Sequence, residues 1–291
     1  MDIKVQTIQN DWSIMPSGIT WFFIGQPKAG KSTAAASWSD KGSKGVLILD
    51  ADLGADFVEG ANIIPIVSVN YPTRNKLNKN GTEVMSDGAP VKEIIPPDQR
   101  GYNFRTGKNK GKPMAVYSIA ETFSWLRTSW SDLSYDTIVI DTITEVNKWI
   151  EDIVKTELGI KIMGDGEWGT DWGLARRKNV DIILRLQKFV KKVGANLIIV
   201  GHSKNTTMVD GKAQLSPELP RGLTGAITAK ADVIGYITGD KNTNERKISF
   251  KSYDERTIGS RLEPLAQKEI ALDYNAIVNE LKQFETNKEK Q

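Results

Sequence analysis

The sequence predicts an α/β protein with a mostly parallel sheet flanked by helices. Three observations carry that expectation. Apolar, strand-like runs alternate with segments of helical spacing along most of the chain. The stretch "GQPKAGKST" (25–33), of the form G-x-x-x-x-G-K-[ST], lies between a strand-like run and a helix-like one. A further run, "TIVID", ends in a carboxylate, and carboxyl ends of strands face the ligand crevice in open α/β sheets. The 291 residues, 39% hydrophobic and 26% charged, have an ordinary globular balance. They are read as one domain over 1–285 with a solvated tail at 286–291.

The elements follow in order. "ITWFFIG" (19–25) reads as a buried strand feeding a helix over 31–40. "GVLILDAD" (45–52) is a second strand, and "NIIPIVSV" (62–69) a short third. Residues 70–113 interrupt the pattern. They carry nine Lys/Arg against four Asp/Glu, a net of +5 in a chain of net +3, with five of the eleven prolines and five glycines. This is a basic, loop-rich insertion. "MAVYSI" is another short strand, 120–133 a helix, 135–144 a strand and 145–158 a helix. "GDGEWGTDWG" (164–173) reads as a loop before a long helix over 174–194, with Val180, Ile183, Leu184 and Leu186 near one face. "ANLIIVGHSK" (195–204) is a strand. Residues 231–239 and 246–254 form a hairpin, and 272–285 a closing helix.

Composition removes several classes of chemistry. Without cysteine there are no disulfides, thiolate metal sites or cysteine nucleophiles, which suits a reducing cytosol. The single histidine, His202, excludes a multi-histidine metal cluster. The N-terminus is polar, and the longest apolar runs are far too short for a bilayer, so no membrane association is expected.

The phosphate loop runs Gly25, Gln26, Pro27, Lys28, Ala29, Gly30, Lys31, Ser32, Thr33. Its glycines let backbone N–H groups wrap phosphates. Lys31 reaches the β- and γ-phosphates, and the Ser32 hydroxyl binds Mg²⁺. The expected ligands are therefore the phosphates of a nucleotide and Mg²⁺. Asp141, ending "TIVID", is the expected partner of Ser32 in the metal shell; its rival role is a cap for the following helix. Hydrolysis also needs a group that orients or deprotonates water. Asp50, Asp52 and Glu145 are candidates, with Asp52 preferred.

At these residues the chain resembles the RecA-like ATPase core. More closely, it is similar to the RecA-core ATPases of phage recombination modules, the Sak-type single-strand recombination proteins. The matching stretches are "WFFIGQPKAGKST", "GVLILDADLGAD", "YDTIVIDTITEV", "EWGTDWGLARRKNVDIILRLQKFV", "NLIIVGHSK" and "FKSYDERTIGSR", which cover most of 19–265. The resemblance implies a RecA-type P-loop core with a C-terminal β-hairpin and helix. It further implies ATP hydrolysis at subunit interfaces of a homo-oligomeric ring or filament on single-stranded DNA. A single-strand binding protein is a possible partner, and the cytoplasm, of a bacterial host if phage-encoded, the compartment.

By the same resemblance, Asp52 falls where the family places a catalytic glutamate, here one methylene shorter. His202 falls at a polar γ-phosphate sensor; the rival is a strand-end histidine bonded to a neighbouring carbonyl. Lys247 and Lys251 share a strand face where fingers reach the neighbouring subunit's nucleotide, with Arg256 and Arg261 as rivals. DNA-facing loops correspond to roughly 159–176 and 203–225. The first offers Trp168, Trp172, Arg176 and Arg177, a combination of stacking faces and cations that suits single strands. Asp165, Glu167 and Asp171 oppose it, and burial of both tryptophans in the core or an interface is the competing reading. The second loop, polar in composition, offers Lys204, Lys212 and Arg221. A hexameric helicase or helicase loader shares this core, and a small-molecule kinase shares the phosphate loop.

Overall fold

The computed structural model describes residue 7 and residues 9–207, 213–239, 245–252 and 258–290. Lys212 and Arg256 lie outside these. β1 (Thr20–Gly25) leads through the phosphate loop into α1 (Lys31–Ala35), followed by β2 (Val46–Asp50) and β3 (Asn62–Ser68). The insertion carries β4 (Thr73–Asn75), β5 (Met85–Ser86), β6 (Ala89–Pro90) and β7 (Lys92–Ile94), paired β4–β7 and β5–β6 apart from the main sheet. Next come β8 (Tyr117–Ser118), α2 (Ile119–Ser129), β9 (Thr137–Asp141), α3 (Ile143–Leu158) and α4 (Thr170–Val193). The chain closes through β10 (Asn196–Thr207), β11 (Ala213–Pro217), α5 (Arg221–Thr228), β12 (Val233–Gly239), β13 (Arg246–Ser249), β14 (Gly259–Ser260), β15 (Glu269–Ala271) and α6 (Tyr274–Lys288).

The main sheet runs β15-β13-β12-β1-β10-β9-β2-β3-β8, with β11 beside β10 and β14 beside β12. All pairings from β12 to β8 are parallel. β13, β14 and β15 join antiparallel; β12 and β13 make the expected C-terminal hairpin, and α6 is the expected closing helix. Alternation splits the core between two faces. Phe22, Ile24, Leu47, Leu49, Ile138 and Ile140 meet the apolar sides of α2 to α5. Trp21, Phe23, Val46, Ile48 and Val139 meet Trp38, Leu262, Leu265 and α6. Central strands buried on both sides explain their nearly continuous apolar sequence.

Several boundaries differ from the sequence expectation. The helix over 31–40 is only Lys31–Ala35. Beyond it Trp38 turns into the core, with its ring 4.8 Å from Phe23 and 5.5 Å from Trp21, while the Ser39 hydroxyl donates to Asp136. The long helix starts earlier, at Thr170. Its buried face is Ala175, Asn179, Ile182, Ile183, Leu186, Gln187 and Val190, so Val180 and Leu184 sit at its margin. The region 203–225 is not simply loop: β10 continues to Thr207 and pairs with β11, and α5 buries Leu223 and Ile227. The tail is helical to Lys288, anchored where the Trp12 N–H donates to Glu285.

The insertion is tied down more firmly than its composition suggests. The Arg100 side chain is 3% exposed and donates two hydrogen bonds of 2.7 and 2.6 Å to Glu121, and others to the carbonyls of Ile95 and Val116. Glu121 also closes a capping box with Ser118 at the start of α2. Hydrogen bonding from Arg100 pulls the Glu121 carboxyl down to about 2 from an ordinary 4.5. The folded chain thus holds this carboxylate ionised more easily than the unfolded chain does. Its contribution is complete above about pH 4.5 and is lost as pH falls towards 2. Glu121→Gln should cost about 2 kcal/mol at neutral pH, less than a fully unpaired buried charge because Arg100 keeps its carbonyl partners. It should also flatten the acid limb of stability over that window. Urea unfolding of both proteins across pH 2.5–7 checks this, and parallel acid limbs would exclude the pair as its source.

Candidate functional site

β1, β9 and β2 end within two residues of one another in register, and β10 runs on beside them. Gly25 pairs with His202, Val200 with Asp141, and Asp141 with Asp50. Their carboxyl ends open on a cleft of about 1070 Å³. It is lined by Lys28, Gly30, Lys31, Ser32 and Thr33 of the phosphate loop and by Asp52, Asp141, Thr142, Glu145 and His202.

The loop has a constrained backbone. Gly30 has φ 93 and Lys28 φ 67. A Cβ on Gly25 would stand 2.8 Å from the Ile237 carbonyl oxygen, so glycine is required where β1 turns away from β12. Lys31 is 4% exposed, and its ammonium donates to the carbonyls of Gly25 at 3.0 Å and Gln26 at 2.8 Å. Burial pulls its pKa below the ordinary lysine value, with Asp141 and Asp52 opposing. Because α1 is a single short turn, the anion-binding capacity lies in the loop N–H groups and Lys31 more than in a helix dipole.

Asp141 is 3% exposed, and burial pushes its carboxyl upward against the opposing effects of the Ser32 hydroxyl and Lys31. Its Oδ1 has no hydrogen-bond partner among the described residues. The helix cap considered for Asp141 falls to Thr142, whose hydroxyl accepts from the Glu145 N–H. The Asp141 carbonyl accepts from the N–H groups of Ala51 (2.6 Å) and Asp52 (3.1 Å). The Thr142 hydroxyl donates to Asp52 Oδ1 at 3.0 Å, and His202 Nε2 lies 3.3 Å from Asp52 Oδ2. Burial raises the Asp52 carboxyl, but His202 and Thr142 outweigh it and hold it below the ordinary value. His202 therefore faces a carboxylate rather than a backbone carbonyl.

The other two water-activating candidates are engaged elsewhere. Asp50 accepts from the N–H groups of Gly54 (3.1 Å) and Ala55 (3.0 Å), and burial lifts it to about 6. It organises the loop that carries Asp52. Glu145 lines the cleft but is paired with Lys148 at 2.8 Å. Lys247 is exposed and, like Lys251, does not line its own chain's cleft. Arg246 does, and so do Tyr102 and Arg105 of the insertion; Arg105 is held by Asp56 at 2.6 and 3.0 Å. Sequence reading missed these three. Arg246 adjoins Lys247 on β13, but that strand ends at Ser249, so Lys251 does not share a strand face with Lys247 as expected; nothing local in 102–105 signals proximity to the loop.

A second cavity of about 440 Å³ gathers Trp172, Arg176 and Arg221 with Asn147 and Leu223. Trp172 is 39% exposed and Trp168, at φ 55, is 100% exposed, which removes core packing as their explanation. Asp171, expected to repel phosphate, is buried and accepts from the N–H groups of Gly164 and Trp172. Asp165 and Glu167 remain exposed. Arg177 and Lys204 are exposed and lie outside this cavity.

A polyphosphate cradle after one strand of a parallel sheet, with a carboxylate two strands away at the same edge, is the arrangement of a P-loop nucleoside triphosphatase domain. The comparison with protein families agrees. The family described as "AAA domain" matches residues 17–262, and the chain belongs to this family of P-loop ATPases. A search of curated proteins returns no match. Among the described residues, no helix is long and apolar enough to cross a membrane.

Proposed function

We propose that the protein is a Mg²⁺-dependent ATPase of the cytoplasm. Its turnover is coupled to single-stranded DNA in phage-type recombination or strand annealing, and it works as a ring or filament of identical subunits. The observation that carries hydrolysis is the convergence of Lys31, Asp141 and the Thr142–Asp52–His202 group on one cleft. Loop N–H groups and Lys31 hold the phosphates, Lys31 exchanging its carbonyl partners for phosphate oxygens. Ser32 and Asp141 fit a hard cation, since the buried Asp141 Oδ1 lacks a partner among the described residues. When bound, that ion neutralises charge on the β- and γ-oxygens. Asp52, fixed through both oxygens and kept ionised, orients the attacking water; its lowered pKa makes it a better positioner than proton acceptor. Lys247 and Lys251 act on the neighbouring subunit's nucleotide.

DNA coupling is supported by the fully exposed Trp168, the shared cavity of Trp172, Arg176 and Arg221, and the likeness of "EWGTDWGLARRK" to Sak-type recombination ATPases. The kinase reading is favoured by one feature, the extension of the large cleft to Phe57, Tyr102 and Arg105, which leaves room for an acceptor.

Lys31→Ala should lower hydrolysis by about 10³-fold or more, the scale for losing a transition-state cation. Asp52→Asn should keep ATP binding and slow turnover. If Glu145→Gln is instead the slow variant, the water belongs to Glu145. Mixing Lys31→Ala with Lys251→Ala subunits should restore part of the turnover; no restoration, with a monomeric wild type in ATP, would remove the action in trans.

Binding of a labelled single strand, followed by anisotropy across a salt series, tests the DNA assignment. Arg176→Ala should weaken binding and flatten the salt slope by about 0.7 for each phosphate that the variant no longer neutralises. Trp168→Ala or Trp172→Ala should cost about 1–3 kcal/mol per stacked base with the slope nearly unchanged. Wild-type affinity and slope in folded tryptophan variants would move DNA binding to the insertion at 70–113. No binding by the wild type at any salt, even with ATP, would leave the kinase reading ahead.

A further inference from the structure

The cleft receives a cation from β13 that belongs to its own subunit. Arg246 pairs with Gly239, two residues beyond Ile237, and Ile237 is the register partner of Gly25. The sheet therefore brings Arg246 to the carboxyl edge beside the phosphate loop. Its side chain lies against Gly30: a Cβ placed there would stand 2.6 Å from Nη1, 2.8 Å from Cδ and 2.9 Å from Cζ. The guanidinium uses space that only a glycine leaves free, at the loop's left-handed residue. Lys31 is turned away, towards the carbonyls of Gly25 and Gln26. Among the described residues no carboxylate pairs with Arg246, and it shares the cleft wall with Lys28, Ser32 and Thr33.

A guanidinium that shares a cleft wall with Lys28 and finds no carboxylate partner among the described residues favours the entry of an anion. Its planar fork suits adjacent phosphate oxygens better than an ammonium does. We propose that Arg246 binds the polyphosphate chain of the nucleotide held in its own subunit, as a second cation beside Lys31. The proposal rests on the nucleotide-binding reading of this loop and adds to it a residue from the far end of the sequence. It separates neighbouring positions on one strand by role, with Arg246 serving its own site and Lys247 exposed away from it.

The test measures binding of a fluorescent ATP analogue, with inorganic tripolyphosphate as competitor, to wild type, Arg246→Ala, Arg246→Gln and Arg246→Lys. Arg246 is exposed, so the variants should melt like the wild type. Charged hydrogen bonds of this kind set the expected loss at about ten- to a hundred-fold in affinity for both ligands in the Ala and Gln variants. Arg246→Lys should recover part of it, and KM should move more than kcat. Unchanged affinity in the Ala and Gln variants would overturn the proposal. So would loss of ATP affinity with undiminished competition by tripolyphosphate, because the guanidinium would then serve the base or ribose. A wild type that binds neither ligand would remove the nucleotide reading and this inference together. Loss confined to Arg246 variants beside an intact wild type separates the two.

Discussion

The constraint on which the site depends is the register of four parallel strands. β1, β10, β9 and β2 are each buried on both faces, and their side chains alternate between two separate apolar clusters. A slip of one residue would send every aromatic and branched side chain to the wrong face. Packing therefore holds Asp141 level with Asp50, and Gly25 with His202 two residues further along the register. The chemistry at the edge inherits its precision from a core that contains no chemistry. Backbone bonds carry that precision one step further. The Asp141 carbonyl receives two N–H groups from the segment after β2, so the chain beyond Asp50 is placed by the end of β9.

Three carboxylates share this edge, and their surroundings give them different characters. Asp50 is pushed up by burial and commits both oxygens to backbone donors. Asp141 is also pushed up and keeps one oxygen unpartnered among the described residues. Asp52 is held down by a hydroxyl and an imidazole. Surroundings alone thus give three neighbouring carboxyl groups different charge preferences without changing the residue type.

The insertion changes meaning once its partners are known. Of its cations, Arg100 is paired with Glu121, Arg74 with Glu93 and Arg105 with Asp56. Its net positive charge is thus an incomplete guide to a nucleic-acid surface. Arg105 also lies 5.0 Å from the Phe57 ring, so the insertion is fastened to the loop that carries Asp52 and forms part of the cleft wall.

From the sequence alone came the alternation of strands and helices, the phosphate loop, the carboxylate at the end of β9 and the C-terminal hairpin. Each is a local pattern, set by side-chain period or by backbone geometry that few residues tolerate. Helix ends were less legible: α1 stops before Trp38, whose ring packs on core partners distant in sequence, and α4 starts at Thr170, where the buried Asp171 accepts N–H bonds from Gly164 and Trp172. Which carboxylate oxygen lacks a partner among the described residues, how far each tryptophan is exposed and which cation reaches Gly30 were decided only by the tertiary structure. Those outcomes depend on strand order, and strand order joins residues more than 200 positions apart, as with Gly30 and Arg246. A local window on the chain has no access to such pairs, whereas the packed sheet makes them neighbours.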